Sequence, residues 1–305
     1  MCAANLNRRG FLRSTGGALA VALGGGLAIS GCSQVNLSAE PNGGTLLERL
    51  RDKGEVRVGF ANEAPYSFIG SDAEITGEAA ELAKVIFERL GVPNLQPIPS
   101  EFGSLIAGLK VGLFDVIGAG MAILPERCEQ VLFTNPEFIA PAAFLVPKGN
   151  PKGIKTFQDV AKQQGFRLGV LIGAVELDYA TASGVPRNSI TNYANQPSGL
   201  EAVRTGRIDA FALTTISLRD VLSKNPGAPL EVTDPFTPVV DGQPQHTAGG
   251  FAFLPDQTNI VREFNKELAA MKQSGELLRI LRPFGFTQAE MTDMTATQLC
   301  NAPAA

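Results

Sequence analysis

Apolar residues along this chain fall into short alternating runs and longer runs at helical spacing, and the two kinds take turns. Val56, Val58 and Phe60 alternate in VRVGF, which predicts a strand. Leu82, Val85, Ile86 and Leu90 share one helical face in GEAAELAKVIFERLG, and Gly91 with Pro93 ends that helix. LQPIP predicts a second strand, and Phe102, Leu105, Ile106 and Leu109 mark one face of another helix. DVIGAGMAIL, almost wholly apolar, predicts a buried strand running into a loop. This βαβ succession predicts a mostly parallel sheet with helices on both faces. A similar series starts near Ala142: strands in AAFLVPKGN, FRLGVLIG, SITNYAN and DAFALTT, helices in TFQDVAKQQ, GAVELDYATASG and SGLEAVRTG. After a Pro- and Gly-rich stretch, GGFAFLP predicts a further strand, and Ile260, Phe264, Leu268 and Met271 predict a closing helix. The expected fold is therefore α/β with two doubly wound lobes, whose ligands bind beyond the carboxyl ends of the strands.

One such end breaks the pattern. After Phe60 the chain runs through Asn62-Glu63-Ala64-Pro65-Tyr66, placing an acid and an aromatic ring in one short loop. A carboxylate at a strand's carboxyl end in a cleft is costly without a partner, which singles out Glu63. Composition narrows the rest. At 305 residues and 44% hydrophobic, the chain can bury one large core or two smaller ones. A formal charge of −4 argues against nucleic acid, whose phosphates need clustered Lys and Arg. The single histidine, His246, argues against histidine-based metal sites and against Ser-His or Cys-His catalysis. No metal or cofactor is expected.

The N-terminal residues read as an export signal. NRRGFLR precedes a short apolar, Gly- and Ala-rich run over residues 18–29, then ISGC. That run is too short for a comfortable membrane span. Arg8-Arg9 with Phe11-Leu12 resembles the twin-arginine signal, which implies export of a folded protein. ISGC resembles the lipobox, which implies cleavage after residues 1–31 and acylation of Cys32. A plain secretory signal with an incidental cysteine is the alternative. Loss of Arg8, Arg9 and Arg13 takes the charge from −4 to −7. Residues 32–44, polar and small, suit a tether to the membrane. Cys2 leaves with the signal and Cys32 takes lipid. Cys128 and Cys300 then remain in an oxidising compartment, where a disulfide is expected.

Several motifs in order resemble a known family. PYSF (65–68), AGMAILPERCEQVLFTNPEF (119–138), LGVLIGAVE (168–176), GRIDAFALT (206–214) and GFAFLPD (250–256) are similar to the extracellular solute-binding proteins of polar amino-acid ABC importers. ANEAPY, SEFGSLIAGL, PERC, Gly184-Val185-Pro186 and the terminal LCNA resemble the ectoine/hydroxyectoine-binding branch. The resemblance implies the type II periplasmic-binding-protein fold, two lobes joined by two crossing strands with ligand in the cleft. It puts the crossings near 139–142 and 246–249, lobe 1 at 45–139 plus 249–305, and lobe 2 at 142–246. It also implies a monomer working with a permease and an ATPase.

The same resemblance assigns roles. Arg127 stands where the family places the arginine that grips a ligand carboxylate, a task suited to a forked, always charged guanidinium. Otherwise Arg127 is a surface residue paired with Glu126 or Glu129. Three positions depart from the common amino-acid pattern: Thr214 replaces the acid that holds an α-ammonium, Ala122 a hydroxyl residue, and Val175 a threonine. Glu63, Tyr66, Phe102 and Glu176 match positions that, in the ectoine branch, supply two acids and aromatic faces to a delocalised cation. If only Tyr66's ring face makes contact, its hydroxyl is dispensable. Plainer roles also fit: core packing for Phe102, a sheet-edge cover for Tyr66, a helix-dipole acid for Glu176. A third aromatic of that branch falls at Ala122, leaving that wall open unless Phe60 or Met121 fills it. An importer receptor for a small zwitterion is the leading reading, and not an enzyme. A polar amino-acid receptor, a dehydratase or lyase on the same fold, and a sensor are the alternatives.

Overall fold

The computed structural model describes residues 44–302. The export signal over 1–31, Cys32 and its lipid, nearly all of the 32–44 tether and residues 303–305 lie outside the described residues. Two mixed sheets organise the chain, one per lobe. In the first, Glu55–Phe60 lies between Asn94–Pro99 and Val116–Ala122, all parallel. Ala248–Phe253 runs antiparallel to Val116–Ala122 and to the short strands Leu132–Phe133 and Phe138–Ile139. In the second, Leu168–Leu171 lies between Ile190–Tyr193 and Ala210–Thr214, again parallel. Ala142–Pro147 is antiparallel to Ala210–Thr214 and Leu230–Val232.

The expected parallel pairing therefore holds for three strands of each sheet and fails at one, for a topological reason. Ala142–Pro147 and Ala248–Phe253 are the strands the chain enters from the other lobe. They start at the cleft end of their sheet, so they run against strands that finish there. The chain passes between sheets at residues 140–141 and 245–247, where Ala140 N–H donates to the Thr247 carbonyl at 2.8 Å.

Both faces of each sheet are covered. Helix Glu78–Arg89 turns Leu82, Ala83, Ile86 and Phe87 inward, where they meet Phe251, Phe253 and Ile260, Phe264, Leu268 and Met271 of Thr258–Ser274. The second sheet has one apolar cluster around Phe144 and Val170 and another around Leu145 and Phe211. Cys128 and Cys300 are joined, 172 residues apart in sequence, with Cα atoms 5.7 Å apart.

One feature of lobe 1 sets a pH dependence. Glu78 and Glu137 are 0% and 1% exposed. Among the described residues, both oxygens of Glu78 and Oε2 of Glu137 find no donor. Burial, then repulsion from Glu137, raises Glu78 well above the usual carboxylate range. Burial also lifts Glu137 to about 8, although Lys272 nearby pulls it back. Lys272 is itself lowered by burial, against the opposing charges of Glu137 and Asp293. Folded pKa values above the unfolded ones bind protons in the native state, so this stabilisation is full in acid and fades as pH rises towards about 8. Denaturant unfolding should therefore show stability falling between about pH 5 and 9, by up to ~1.4 kcal/mol per pH unit for one such group. Glu137→Gln should flatten that slope; an unchanged slope would place its origin elsewhere.

Candidate functional site

The loop after Glu55–Phe60 is a tight turn closed on itself. Glu63 N–H donates to the Ser67 carbonyl at 3.0 Å, and Tyr66 N–H to the Glu63 carbonyl at 3.0 Å. Behind it, the first N–H groups of helix Glu78–Arg89 lack partners in their own helix. Glu78 N–H donates instead to Pro65 and Ala79 N–H to Tyr66, each at 2.8 Å. The helix start thus holds the loop against the sheet. Tyr66 stacks one ring face on Phe138, with centroids 5.5 Å apart and planes at 14°. Gly120, at φ +59°, makes room for that ring, since a Cβ there would lie 2.4 Å from Tyr66 Cδ1.

The other candidates come from the same ends of other strands. Phe102 opens the turn after Asn94–Pro99, and Arg127 sits in the single helical turn Pro125–Cys128 after Val116–Ala122. From lobe 2, Val175 and Glu176 start helix Glu176–Ala182, and Thr214 ends Ala210–Thr214. Glu63, Tyr66, Phe102, Arg127, Val175, Glu176 and Thr214 all line one cavity between the lobes. The cavity volume is about 30 Å³, so the walls are drawn close together.

Arg127 is buried and reaches across the cleft. Its guanidinium donates to the Ala122 carbonyl at 2.8 Å and to the Gly173 carbonyl of lobe 2 at 2.9 Å. Its Cζ lies 5.8 Å from the centre of the Phe102 ring, within cation–π range. Burial lowers its pKa, against the pull of nearby acids led by Glu126. Glu126 and Glu129 are exposed and form no ion pair with it. The surface-pair alternative does not describe this arginine. Gly173, at φ +76°, approaches Gly103 so closely that a Cβ would lie 2.7 Å from Gly103 Cα. Two bare backbones let the lobes meet there.

The acids are as buried as the arginine. Glu63 accepts from the Ser217 hydroxyl at 3.0 Å and faces the Gln196 amide at 3.5 Å. Gln196 also donates to the Ala64 carbonyl at 2.7 Å. Burial raises Glu63 to about 8, with Ser217 opposing and the charge of Glu176 adding. Burial raises Glu176 to about 7, partly offset by a backbone hydrogen bond and by Arg127. The Tyr66 and Thr214 hydroxyls are bonded at 2.7 Å, and those of Tyr179 and Thr247 at 3.1 Å. Tyr66 therefore offers more than a ring face: its hydroxyl ties the lobes together. Phe102 packs against apolar side chains of both lobes and lines the cavity as well, so its packing and site roles coincide.

Phe60 and Met121 are buried and do not line the cavity, so neither fills the wall at Ala122. Val175 and Tyr179 share an apolar cluster with Ala122 instead. Gln196, Ser217 and Thr247 are the site residues that sequence reading misses. Gln196 and Ser217 occupy first turns of helices that follow strands, Asn195 capping one of them, and that position was the available signal. Chemically, the cavity pairs one buried cation with two carboxyls and is lined by two aromatic side chains, Tyr66 and Phe102.

Residues 56–287 match the bacterial extracellular solute-binding proteins, family 3. A probable amino-acid ABC transporter periplasmic-binding protein, y4tE of Sinorhizobium fredii, is 35% identical over 271 residues, covering 87% of this chain and 89% of that protein. The crystal structure of EhuB in complex with hydroxyectoine superposes with a TM-score of 0.77 at 35% identity, covering 85% of this chain and 98% of EhuB. An ancestral arginine-binding protein bound to arginine gives 0.67 at 27% identity, with 76% and 99% covered. The chain belongs to the bacterial extracellular solute-binding proteins of family 3, with their two-lobed type II fold.

Proposed function

We propose that this chain is the solute-binding component of an ABC importer and captures a small zwitterion, ectoine or 5-hydroxyectoine being favoured. The observation that carries this is Arg127 in one cavity with Glu63 and Glu176. The guanidinium suits a ligand carboxylate. The two acids, with Tyr66 and Phe102, suit a delocalised cation. The likeness to hydroxyectoine-bound EhuB supports the same ligand class. In this reading the chain is exported by its twin-arginine-like signal, held at the outer face of the membrane by acylated Cys32, and works as a monomer with a permease and an ATPase.

A polar amino acid is the second reading, favoured by the name of the y4tE relative. Against it, Thr214 presents a hydroxyl already bonded to Tyr66 where an α-ammonium would need an acid. A thermal-shift screen of compatible solutes and amino acids separates the two, because a ligand of the folded state raises its stability by mass action. Stabilisation by hydroxyectoine and not by arginine, cystine or glutamine is expected; the reverse overturns the ligand assignment. Recovery of the ligand unchanged after long incubation separates binding from dehydratase or lyase chemistry at Glu63 and Glu176. Tyr66→Phe tests the tie between the lobes. It keeps the ring and strands the Thr214 hydroxyl, so affinity should fall by about 1 kcal/mol in calorimetry. A silent substitution would mean that the ring face alone matters.

A further inference from the structure

We propose that the Cys128–Cys300 bond positions Arg127, so that losing the bond weakens carboxylate binding while the lobe stays folded. This rests on Arg127 being the anion-holding group. Arg127 and Cys128 are neighbours in a helical turn of only four residues, Pro125–Cys128. Successive residues of a helix point about 100° apart. Arg127 accordingly lies in the cleft, while Cys128 meets the C-terminal helix Ala296–Cys300. So short a turn does not hold itself in water.

Outside contacts must fix the turn. Glu126, Glu129 and Gln130 are exposed. Leu124 and Val131 are buried on either side, Lys110 Nζ donates to Gln130 Oε1 at 2.8 Å, the Arg127 guanidinium holds the Ala122 and Gly173 carbonyls, and the disulfide adds a covalent tie to the C-terminal helix. Its other end is a fixed post. Thr295 and Gln298 form a capping box, Ala296 N–H donates to Asn135 Oδ1 at 3.1 Å, and Leu299 is buried among Leu105, Leu109 and Ile117. The post therefore stays in place without the sulfur bond, and the Arg127 turn loses its covalent anchor. The fork of donors that must meet a carboxylate is then no longer held in register, and a fork out of register loses its second hydrogen bond.

The test compares the parent with C128S/C300S, after non-reducing peptide mapping of the exported protein. Hydrogen exchange should quicken about tenfold or more at the amides of residues 128 and 131, with the strand Leu168–Leu171 unchanged. In calorimetry the Kd for 5-hydroxyectoine should rise about fivefold or more, and that for its carboxamide should stay within about twofold. Two free thiols in the exported parent, unchanged exchange, or equal weakening of both compounds would each overturn the proposal. Should the double variant fail to fold, a water-soluble phosphine gives the same comparison on folded parent. The phosphine is oxidised to its oxide, with oxygen from water, as the bridge takes up two electrons and two protons. Arg127→Ala is the control: binding as tight as the parent's sinks the zwitterion reading, whereas weakening by Arg127→Ala alone sinks only the positioning role. If the parent does not bind 5-hydroxyectoine, the ligand assignment falls and exchange at 128 and 131 decides the positioning.

Discussion

Arg127→Ala is expected to cost about 2–5 kcal/mol of affinity for 5-hydroxyectoine, most of it as faster release. In the proposed complex the substitution strands the ligand carboxylate among buried walls. It also leaves the Ala122 and Gly173 carbonyls without their donor, and Gly173 belongs to the opposite lobe. Closure and anion binding therefore weaken together. Arg127→Lys should recover part of the loss, because an ammonium keeps the charge but cannot fork. Stopped-flow dissociation with calorimetry checks both, and an Arg127→Ala protein that releases ligand no faster than the parent excludes this arginine from the site.

Glu63→Gln has the second large effect, and its signature is in the protons. In the closed arrangement burial holds Glu63 up to about 8 and Glu176 up to about 7. Near neutral pH Glu63 is thus mainly a carboxyl, bonded to Ser217. A cationic ligand favours its carboxylate, so its entry into this closed arrangement releases a proton below about pH 8, and affinity for the closed form climbs as pH rises from about 6 to 8. The climb is at most about tenfold per pH unit for one group. Glu63→Gln keeps the Ser217 contact, removes the charge and should abolish Glu63's share of the release, leaving that of Glu176. Affinity for hydroxyectoine should drop by about tenfold or more, while a neutral analogue should lose little. Calorimetry in buffers of different ionisation enthalpy reads the protons directly. Equal proton release by Glu63→Gln and the parent would show that Glu63 does not face the cation.

The apolar pattern made most of the architecture legible, because a side chain's spacing reports which face of its own element is buried. Val56, Val58 and Phe60 alternate, and Leu82 and Ile86 sit a helical turn apart, whatever the rest of the chain does. The direction of Ala142–Pro147 and Ala248–Phe253 was not legible, since it depends on the lobe from which the chain arrives. The seven residues proposed for the site, from Glu63 to Thr214, stand in the motifs that carry the family resemblance. They line one cavity because the carboxyl ends of strands converge at the cleft of a two-lobed α/β fold.

Local spacing predicts most of the elements, and motifs in order carry the family and seven residues of the cleft, though not Thr247. Which groups touch across the cleft follows from the packing of the two lobes against each other. Tyr66 meets Thr214 from 148 residues away, Glu63 meets Ser217 from 154, and Arg127 meets Gly173 from 46. No periodicity encodes those pairs, because they form where two separately packed cores come together. That meeting is also what removes water from Glu63 and Glu176, and desolvation rather than residue type sets how readily each holds its proton.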